Sequence, residues 1–243
     1  MTDGRREEIA AALGAVEERI VAACTAAGRA RDEVRLIGVT KTFPAADAAL
    51  LTDLGLTRLA ENRDQEAGPK ADEVARLRPD ASPRWHMVGR LQRNKARSVV
   101  RWAAEVQSVD SARLADALGR AAGHAREAGE RTAPLDVLVQ VSLDGDPARG
   151  GTPLAELAAL ADHIARVGEL RLRGVMAVAP LGEDPERAFE RLARAAGRLR
   201  EDHPDAGEMS AGMSHDLEPA ITHGSTSVRV GTALLGGRGL ASP

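Results

Sequence analysis

Lysine is scarce in this sequence, and one of the few lysines stands where an amine could do chemistry. The chain of 243 residues has 33 basic residues, of which three are lysines: Lys41, Lys70 and Lys95. Lys41 follows the apolar run VRLIGVT at 34–40, a pattern that predicts a buried strand. A surface charge could be either basic residue, whereas an amine that acts as a nucleophile has to be lysine. Lys41 is therefore the first candidate for covalent chemistry.

Residue types suited to phosphate binding occur in two segments near the C-terminal end. The segment GMSHDLEPAITHG supplies Ser214 before a short helical pattern that Gly224 closes. In VRVGTALLGG, Gly231 allows close backbone approach, and Thr232 adds a hydroxyl beside the N–H groups of a helix start. Helix capping is the alternative role for Ser214 and Thr232 on local pattern alone. Their position after two successive predicted strands favours a phosphate site.

Strand alternation directs one arginine toward the interior. In TSVRVG, Arg229 shares one strand face with Ser227 and Gly231, while the two valines share the opposite face. If the valines pack against outer helices, Arg229 points inward, where an unpaired charge is costly. Two interpretations stay open: an ion pair with Glu61 or another inner carboxylate, or a hydrogen bond to a bound ligand.

A lysine, a phosphate-binding segment and an inward arginine together suggest pyridoxal 5′-phosphate. Proteins hold this cofactor through a Schiff base with lysine, through helix termini and hydroxyls at its phosphate, and through a group facing its ring nitrogen. An arginine remains protonated, so the ring nitrogen would accept a hydrogen bond from Arg229 and stay uncharged. A neutral ring withdraws electrons less strongly, which would restrain carbanion chemistry.

The elements that must position these residues are predicted by eight short apolar runs that alternate with helical patterns. The predicted strands span 34–40, 57–62, 84–89, 105–110, 135–143, 171–179, 208–214 and 226–234. They are preceded by an additional amphipathic helix, whose apolar residues recur every three or four positions from Ile9 to Cys24. Two helix starts are predicted where Thr152 and Asp184 each precede a proline, and Asp110 is a third candidate cap.

This order of elements predicts an α/β protein with a single (β/α)₈ TIM barrel over residues 1–243. An open, doubly wound sheet is the main alternative, but the chain lacks a glycine-rich dinucleotide fingerprint after its first strand. In a barrel, functional groups gather at the C-terminal ends of the strands. Lys41 and Asn62 stand at such ends, as do the segments that contain Ser214 and Thr232.

Composition excludes several other classes of protein. The formal net charge of −3 argues against a dedicated nucleic-acid binder, and no apolar run approaches the roughly 18 residues of a membrane span. The single cysteine, Cys24, excludes an intrachain disulfide framework. The charged N-terminus lacks the apolar segment of a signal peptide, so we expect a cytoplasmic protein. We also expect a monomer, and the histidine and acidic spacings predict no metal site.

With these residues in view, the chain resembles the pyridoxal phosphate homeostasis proteins, whose fold is similar to the N-terminal barrel of alanine racemase. The resemblance runs from about residue 5 to residue 239 through five motifs in the family's order: LIGVTKTFP, LAENRDQEAGPK, WHMVGRLQRNK, LRLRGVMAVAP and MSAGMSHDLEPAITHGSTSVRVGTALLG. It implies that Lys41 carries pyridoxal phosphate as a Schiff base and that Arg229 faces the ring nitrogen. It also implies contacts to the phosphate from Ser214, Gly231 and Thr232, and to the rest of the cofactor from Asn62, His86 and Met213.

The resemblance implies a carrier or buffer of pyridoxal phosphate inside the cell, with effects on amino-acid and keto-acid balance. Apo forms of enzymes that use the cofactor are then candidate partners, and no residue is assigned a catalytic role. A racemase or another weak pyridoxal phosphate enzyme is the alternative. Racemisation needs an acid–base group on each face of the substrate, and the racemase family pairs its lysine with a tyrosine, a residue type absent here. The chain ends just after the last predicted strand, so we expect no second domain to supply one, although His86 or His215 could substitute.

Two features lie outside this interpretation. The family's usual GENY reads AENR here, with Ala60 in place of glycine and Arg63 in place of tyrosine, so contacts on that side of the pocket stay open. In addition, six basic residues lie within 84–101. A solvated helix face, an RNA-binding surface and contacts from Arg90 and Lys95 to cofactor or acceptor protein are the alternatives for this stretch.

Overall fold

A computed structural model describes residues 3–146 and 149–237 of the chain. Every strand in this part of the protein runs parallel to its neighbours. The strands are β1 Arg35–Val39, β2 Arg58–Glu61, β3 Arg84–Met87, β4 Glu105–Val109, β5 Leu135–Ser142, β6 Thr152–Pro153, β7 Leu170–Met176, β8 Glu208–Ser210 and β9 Ser227–Val230.

The sheet closes on itself, which confirms the predicted (β/α)₈ TIM barrel. Going around the barrel, the order is β4, β3, β2, β1, β9, β8, β7 and β5, and β5 then pairs with β4. The two-residue strand β6 was not predicted, and it lies beside β5 outside this ring. All eight predicted strands are present. The last two are shorter than predicted, because a glycine with φ +93° at Gly212 follows β8 and a helix begins directly after Gly231.

The helices cover the outside of the barrel and include the predicted extra helix at the N-terminus. They are α1 Asp3–Ala26, α2 Ala45–Asp53, α3 Asp64–Leu77, α4 Ala96–Trp102, α5 Ala112–Glu127, α6 Leu157–Ala165, α7 Pro185–Asp202, α8 Leu217–Thr222 and α9 Thr232–Leu235. Short 3₁₀ helices span Arg31–Glu33, Arg93–Lys95 and Leu154–Glu156.

One of the three predicted helix caps is confirmed. Asp184 accepts a hydrogen bond from the backbone N–H of Glu186 at 3.1 Å, with proline at the first position of α7. The prediction for Thr152 is wrong, because Thr152 and Pro153 form β6 and the α-helix starts only at Leu157. The prediction for Asp110 is also wrong, because the residue before α5 is Ser111 and no side chain caps that helix.

Strand alternation separates a polar barrel interior from an apolar outer layer. On β1, Leu36 packs outward with α1 residues such as Ile9 and Ile20, and Val228 of β9 belongs to the same cluster. Ile37 stands opposite Arg229 in the β1–β9 register, so both point into the barrel. The outer layer supplies the apolar burial that stabilises the fold. The interior is left free to carry polar groups.

A helix that crosses a bilayer has to be both long and apolar. Within residues 3–146 and 149–237, no helix has both properties to the degree that a membrane span needs.

Candidate functional site

The candidate residues gather at one end of four neighbouring strands. In the order β2, β1, β9 and β8, these strands are adjacent in the barrel. Asn62 follows β2, Lys41 follows β1 after one intervening residue, and Gly231 follows β9. Ser214 lies four residues beyond the end of β8. Parallel strands present their C-terminal ends on one face of the barrel, so residues far apart in sequence meet there.

Lys41 lies in a tight turn at this face. The turn is closed by a hydrogen bond from the N–H of Phe43 to the carbonyl of Thr40 at 3.1 Å. Thr42 has φ +69°, in the left-handed region that is uncommon for a β-branched residue. Lys41 is exposed, and no hydrogen bond or ion pair among residues 3–146 and 149–237 involves its amine. The amine is therefore available to a ligand.

A buried ion pair supports this turn from the side of α3. Lys70 donates to the Glu61 carboxylate at 2.5 Å and to the carbonyl of Thr40 at 2.8 Å. The Thr40 hydroxyl donates to the same carboxylate oxygen at 2.6 Å. The residue before Lys41 is thus held by two elements, β2 and α3. The sequence alone gives Lys70 no role, although a lysine in an arginine-rich chain is a usable signal.

The predicted phosphate residues are brought together where the segments after β8 and β9 meet. The backbone N–H of Ala233, in the first turn of α9, donates to the hydroxyl of Ser214 at 3.3 Å. Gly231 lies so close to β1 that an added Cβ would come within 3.1 Å of the carbonyl oxygen of Val39. Thr232 begins α9 and is exposed. The result is an edge of hydroxyl and backbone groups beside Val39, which lies two residues before Lys41.

Met213 and Asp216 shape the chain between β8 and α8. Asp216 is buried, and its carboxylate accepts a hydrogen bond from the backbone N–H of Met213 at 2.6 Å. This local bond fixes the turn that presents Ser214. Asp216 also exerts a favourable charge on Arg229, although the two side chains form no ion pair within 4.0 Å among the described residues.

Arg229 is inside the barrel, as predicted, with 5% of its surface exposed. Its guanidinium donates to the hydroxyl of Ser210 at 2.6 Å and to the carbonyl of Ala177 at 2.9 Å. Burial lowers the pKa of Arg229 to about 10, against which the charge of Asp216 acts. The group therefore stays protonated at neutral pH and serves as a donor.

The alternative of an ion pair between Arg229 and Glu61 is wrong. Glu61 binds Lys70 on the opposite side of the strand wall, and the described part of the chain places no carboxylate within ion-pair distance of Arg229. A buried cation without a carboxylate is costly unless other acceptors reach it. Its two neutral acceptors leave part of its donor capacity for a ligand, because a guanidinium carries five N–H groups.

A chain of buried hydrogen bonds runs from Arg229 across the barrel interior. The Ser210 hydroxyl donates to the Gln107 amide oxygen at 2.8 Å. The amide nitrogen of Gln107 donates to the Glu105 carboxylate at 2.7 Å, and that carboxylate lies 3.0 Å from Nδ1 of His86. The position of Arg229 is thus coupled to residues on three other strands.

His86 is the one predicted site residue that the structure does not bring to the others. It borders a cavity of about 270 Å³ at the opposite end of the barrel, together with residues at the strand starts. Its only side-chain partners among residues 3–146 and 149–237 are Glu105 and Gln107. Contact between His86 and a ligand at Lys41 stays a prediction, and the observed link runs through Gln107 and Ser210.

The groups present fit pyridoxal phosphate. An unengaged amine can react with its aldehyde, and the edge formed by Ser214, Gly231 and Thr232 offers hydroxyl and N–H donors for a phosphate. Arg229 offers a charged donor in a buried setting suited to a ring nitrogen. In addition, Oδ1 of Asn62 is a buried acceptor without a partner in the described part of the protein. Such an orphaned atom at the same end of the barrel indicates room for a donor from a ligand.

Comparisons with known proteins agree with this geometry. Residues 12–239 match the family model described as alanine racemase, N-terminal domain. The chain is 47% identical over 247 residues to the pyridoxal phosphate homeostasis protein of Mycobacterium leprae, covering 98% of this chain and 96% of that protein. The fold superposes with a TM-score of 0.88 on a protein of unknown function from Bifidobacterium adolescentis, at 31% identity over 96% of this chain and 97% of the other. It superposes with a TM-score of 0.78 on PipY of Synechococcus elongatus with PLP bound, at 34% identity over 94% of this chain and all of PipY (100%).

Proposed function

The chain belongs to the pyridoxal phosphate homeostasis protein family, within the alanine racemase N-terminal-domain fold, and from that premise we propose that it binds pyridoxal 5′-phosphate in order to store and release it. Lys41 holds the aldehyde covalently and reversibly as a Schiff base. The protein thereby keeps a reactive compound sequestered yet transferable, with effects on amino-acid and keto-acid balance. The observation that carries the proposal is the unengaged Lys41 amine beside the Ser214–Gly231–Thr232 edge.

Each part of the site has one task in this function. Pyridoxal phosphate supplies an aldehyde for a primary amine, an anionic phosphate and a ring nitrogen that accepts a hydrogen bond. Lys41 provides the amine, and the Lys70–Glu61 pair holds the turn that carries it. Ser214, Gly231 and Thr232 bind the phosphate, while Asn62 and Met213 line the pocket.

Arg229 favours holding the cofactor over using it. Its guanidinium stays protonated at neutral pH, because its pKa of about 10 lies well above 7. A protonated guanidinium can only donate to the ring nitrogen, which therefore remains uncharged. A neutral ring withdraws electrons weakly, so reactions that pass through a carbanion gain little.

The decisive experiment maps the covalent bond. The purified protein is mixed with pyridoxal phosphate, its visible absorbance is recorded, and borohydride then reduces the bond so that the labelled peptide can be identified. With three lysines in the chain, the label can fall only on Lys41, Lys70, Lys95 or the N-terminal amine. We expect Lys41, loss of absorbance in Lys41→Ala, and no loss in the control Lys95→Ala. Label on another amine, or no absorbance at all, would refute the proposal.

A racemase activity is separated from a carrier role by two assays. The loaded protein is offered L-alanine and other amino acids, and D-enantiomers are measured. It is then incubated with the apo form of a pyridoxal phosphate enzyme, whose recovered activity reports transfer. A carrier without tyrosine should give little racemisation and ready transfer. Fast racemisation without transfer favours the enzyme.

The cellular compartment, the oligomeric state and the partners of the protein complete the proposal. We propose that it works in the cytoplasm as a monomer, with pyridoxal phosphate as its ligand and apo pyridoxal phosphate enzymes as partners. It needs neither a membrane nor a specific nucleic acid for this role. Size-exclusion chromatography with light scattering, with and without an apoenzyme, measures both the monomer and the transfer complex.

A further inference from the structure

A basic pocket lies beside the candidate cofactor site and shares Asn62 with it, and the proposed function uses none of the pocket's charged residues. Its volume is about 830 Å³, within the range of roughly 300–1,000 Å³ that small-molecule sites occupy. Its cationic lining residues, which define the basic pocket, are Arg63, Arg90, Arg93, Lys95 and Arg113. Asp64 and Asp110 are the acidic residues of the lining, so the cations exceed the carboxylates by three.

The cations of the basic pocket are largely unpaired. Arg63 forms an ion pair with Glu66 at 3.2 Å. The side chains of the other four have no carboxylate within 4.0 Å and no hydrogen-bond partner among residues 3–146 and 149–237. Neither acidic residue of the lining forms an ion pair with them: Asp64 accepts a hydrogen bond from the indole of Trp102, and Asp110 accepts one from the Ser111 hydroxyl. Elsewhere in the protein, arginines commonly lie against carboxylates, as Arg78 does against Asp53.

Three loops hold these charges together at the C-terminal ends of β2, β3 and β4. Arg63 follows β2, Arg90 and the 3₁₀ helix Arg93–Lys95 follow β3, and Arg113 lies in the first turn of α5 after β4. The barrel therefore fixes the spacing of the cations. Like charges gathered in one concavity repel each other, and a bound anion relieves that repulsion. This arrangement also gives a role to part of the basic stretch 84–101.

We infer that the basic pocket binds a second small molecule that carries at least two anionic groups, phosphate or carboxylate, next to the cofactor site. An excess of three positive charges favours a polyanion over a singly charged ion. A concave cavity of this volume suits a metabolite. The lining contains no aromatic residue on which a nucleic-acid base could stack, which disfavours RNA.

Lys41 does not line the basic pocket, so the pocket can be tested in a variant that lacks this lysine. Lys41→Ala protein is titrated with pyrophosphate and with citrate at constant ionic strength, and acetate serves as the singly charged control. We expect saturable binding of at least one polyanion by calorimetry. Acetate should bind at least about tenfold more weakly, because it meets fewer of the cations. Binding that never saturates, or equal binding of acetate, overturns the inference.

Matched variants locate the binding. Arg90→Ala/Arg93→Ala removes two cations of the basic pocket, and Arg187→Ala/Arg198→Ala removes two exposed cations of α7, which does not line it. The first pair should weaken polyanion binding by at least about tenfold, and the second should change it less than about twofold. Equal effects from the two pairs overturn the inference. Circular dichroism checks folding, and Arg113→Gln serves if the first pair does not fold.

Chemical protection separates the basic pocket from the phosphate edge at Lys41. Lys95 is the lysine of the basic pocket, and it can be acetylated in the wild-type protein and quantified by mass spectrometry beside Lys41. A polyanion in the basic pocket should slow acetylation of Lys95 several-fold and leave Lys41 unchanged. Protection of Lys41 instead places the anion at the proposed cofactor site and overturns the inference. Binding of an acidic peptide without binding of pyrophosphate or citrate overturns it in favour of a protein partner.

Discussion

The proposed chemistry of this protein depends on two cations that have opposite surroundings. Lys41 is exposed, with an amine that no described residue engages. Arg229 is buried and held by Ser210 and Ala177, so its donor direction is fixed. A flexible amine can reach and release an aldehyde, whereas a fixed guanidinium can hold a ring in one orientation. This division suits a protein that stores a ligand.

Replacing Arg229 tests which atom of the ligand it meets. In Arg229→Glu a carboxylate replaces the donor, so a ring nitrogen at that position should take up a proton, and the visible absorbance of the bound cofactor should shift. Arg229→Gln is the matched control, because it removes the charge without supplying a carboxylate. An identical spectrum in wild-type protein and the glutamate variant, with cofactor bound, means that Arg229 does not face the ring nitrogen.

The Lys70–Glu61 pair provides a second test at single residues. Both side chains are at least nine-tenths buried, and Lys70→Met leaves the Glu61 carboxylate with the Thr40 hydroxyl as its remaining partner. We expect a loss of about 3–5 kcal/mol in the free energy of unfolding, measured by urea denaturation, because an uncompensated charge stays buried. The double variant Lys70→Met/Glu61→Leu should recover most of it.

The control for this experiment is Lys95→Met, which removes a lysine that forms no ion pair in the described part of the chain. Its unfolding free energy should stay within about 0.5 kcal/mol of the wild type. If Lys70→Met behaves like this control, the pair does not stabilise the turn before Lys41.

At the scale of the secondary-structure elements, the sequence predicts the presence of strands and helices better than it predicts their first and last residues. The eight strands of the barrel were found because their apolar runs are separated by helical periodicity. Their ends were missed where an apolar run continues past the last sheet hydrogen bond, as at 226–234, where Thr232–Leu235 is helical. Apolar residues suit both a buried strand and a short buried helix. Only sheet pairing decides between them.

The N-terminal helix α1 is an addition to the eight strand–helix units of the barrel. Its packing leads to a prediction about stability. Ile20 is completely buried in the apolar cluster that also contains Leu36 of β1 and Val228 of β9, whereas its neighbour Val21 is 46% exposed. Ile20→Ala should lower the free energy of unfolding by about 2–5 kcal/mol, because it removes buried methylene and methyl groups and leaves a cavity. Urea denaturation measures the loss.

Val21→Ala is the matched control on the same helix. It removes apolar atoms that are partly in water already, so its cost should be below about 1 kcal/mol. Similar losses for the two variants would contradict the packing of α1 on the barrel.

At the scale of the whole molecule, the interior network makes stability depend on pH. Burial opposes ionisation of Glu105, but the hydrogen bond and charge of His86, with the N–H of Gln107, outweigh it, so the pKa of Glu105 is lowered from its ordinary 4.5. A carboxyl whose pKa is lower in the folded state stabilises the protein above its unfolded pKa. That contribution is lost as pH falls through the folded pKa.

The difference between wild type and Glu105→Gln isolates this effect. Above pH 4.5 the wild type should have the larger free energy of unfolding, and the difference should shrink as the pH is lowered below that value. Urea denaturation at several pH values measures it, and Glu130→Gln, which alters an exposed carboxylate, is the control. A difference that does not change with pH means that the pKa of Glu105 is the same in the folded and unfolded states. A single transition in each curve is also expected if residues 1–243 form one domain, as the sequence predicts.

The sequence by itself determined the order of strands and helices and the inward direction of Arg229, and it singled out Lys41 as the lysine proposed to react. These follow from local rules, since apolar periodicity, residue chemistry and strand alternation need no knowledge of distant segments. The resemblance added the proposed roles of Asn62, His86 and Met213, which no spacing indicates.

Only the tertiary structure decided which groups meet. It paired Glu61 with Lys70 instead of Arg229, joined Arg229 through Ser210 and Gln107 to Glu105, and gathered the cations of the basic pocket from three loops. Such contacts depend on barrel closure, which brings residues from distant segments to one face and turns alternate side chains to opposite sides of one wall. A sequence records which residues are available, and the closed sheet decides which of them become neighbours.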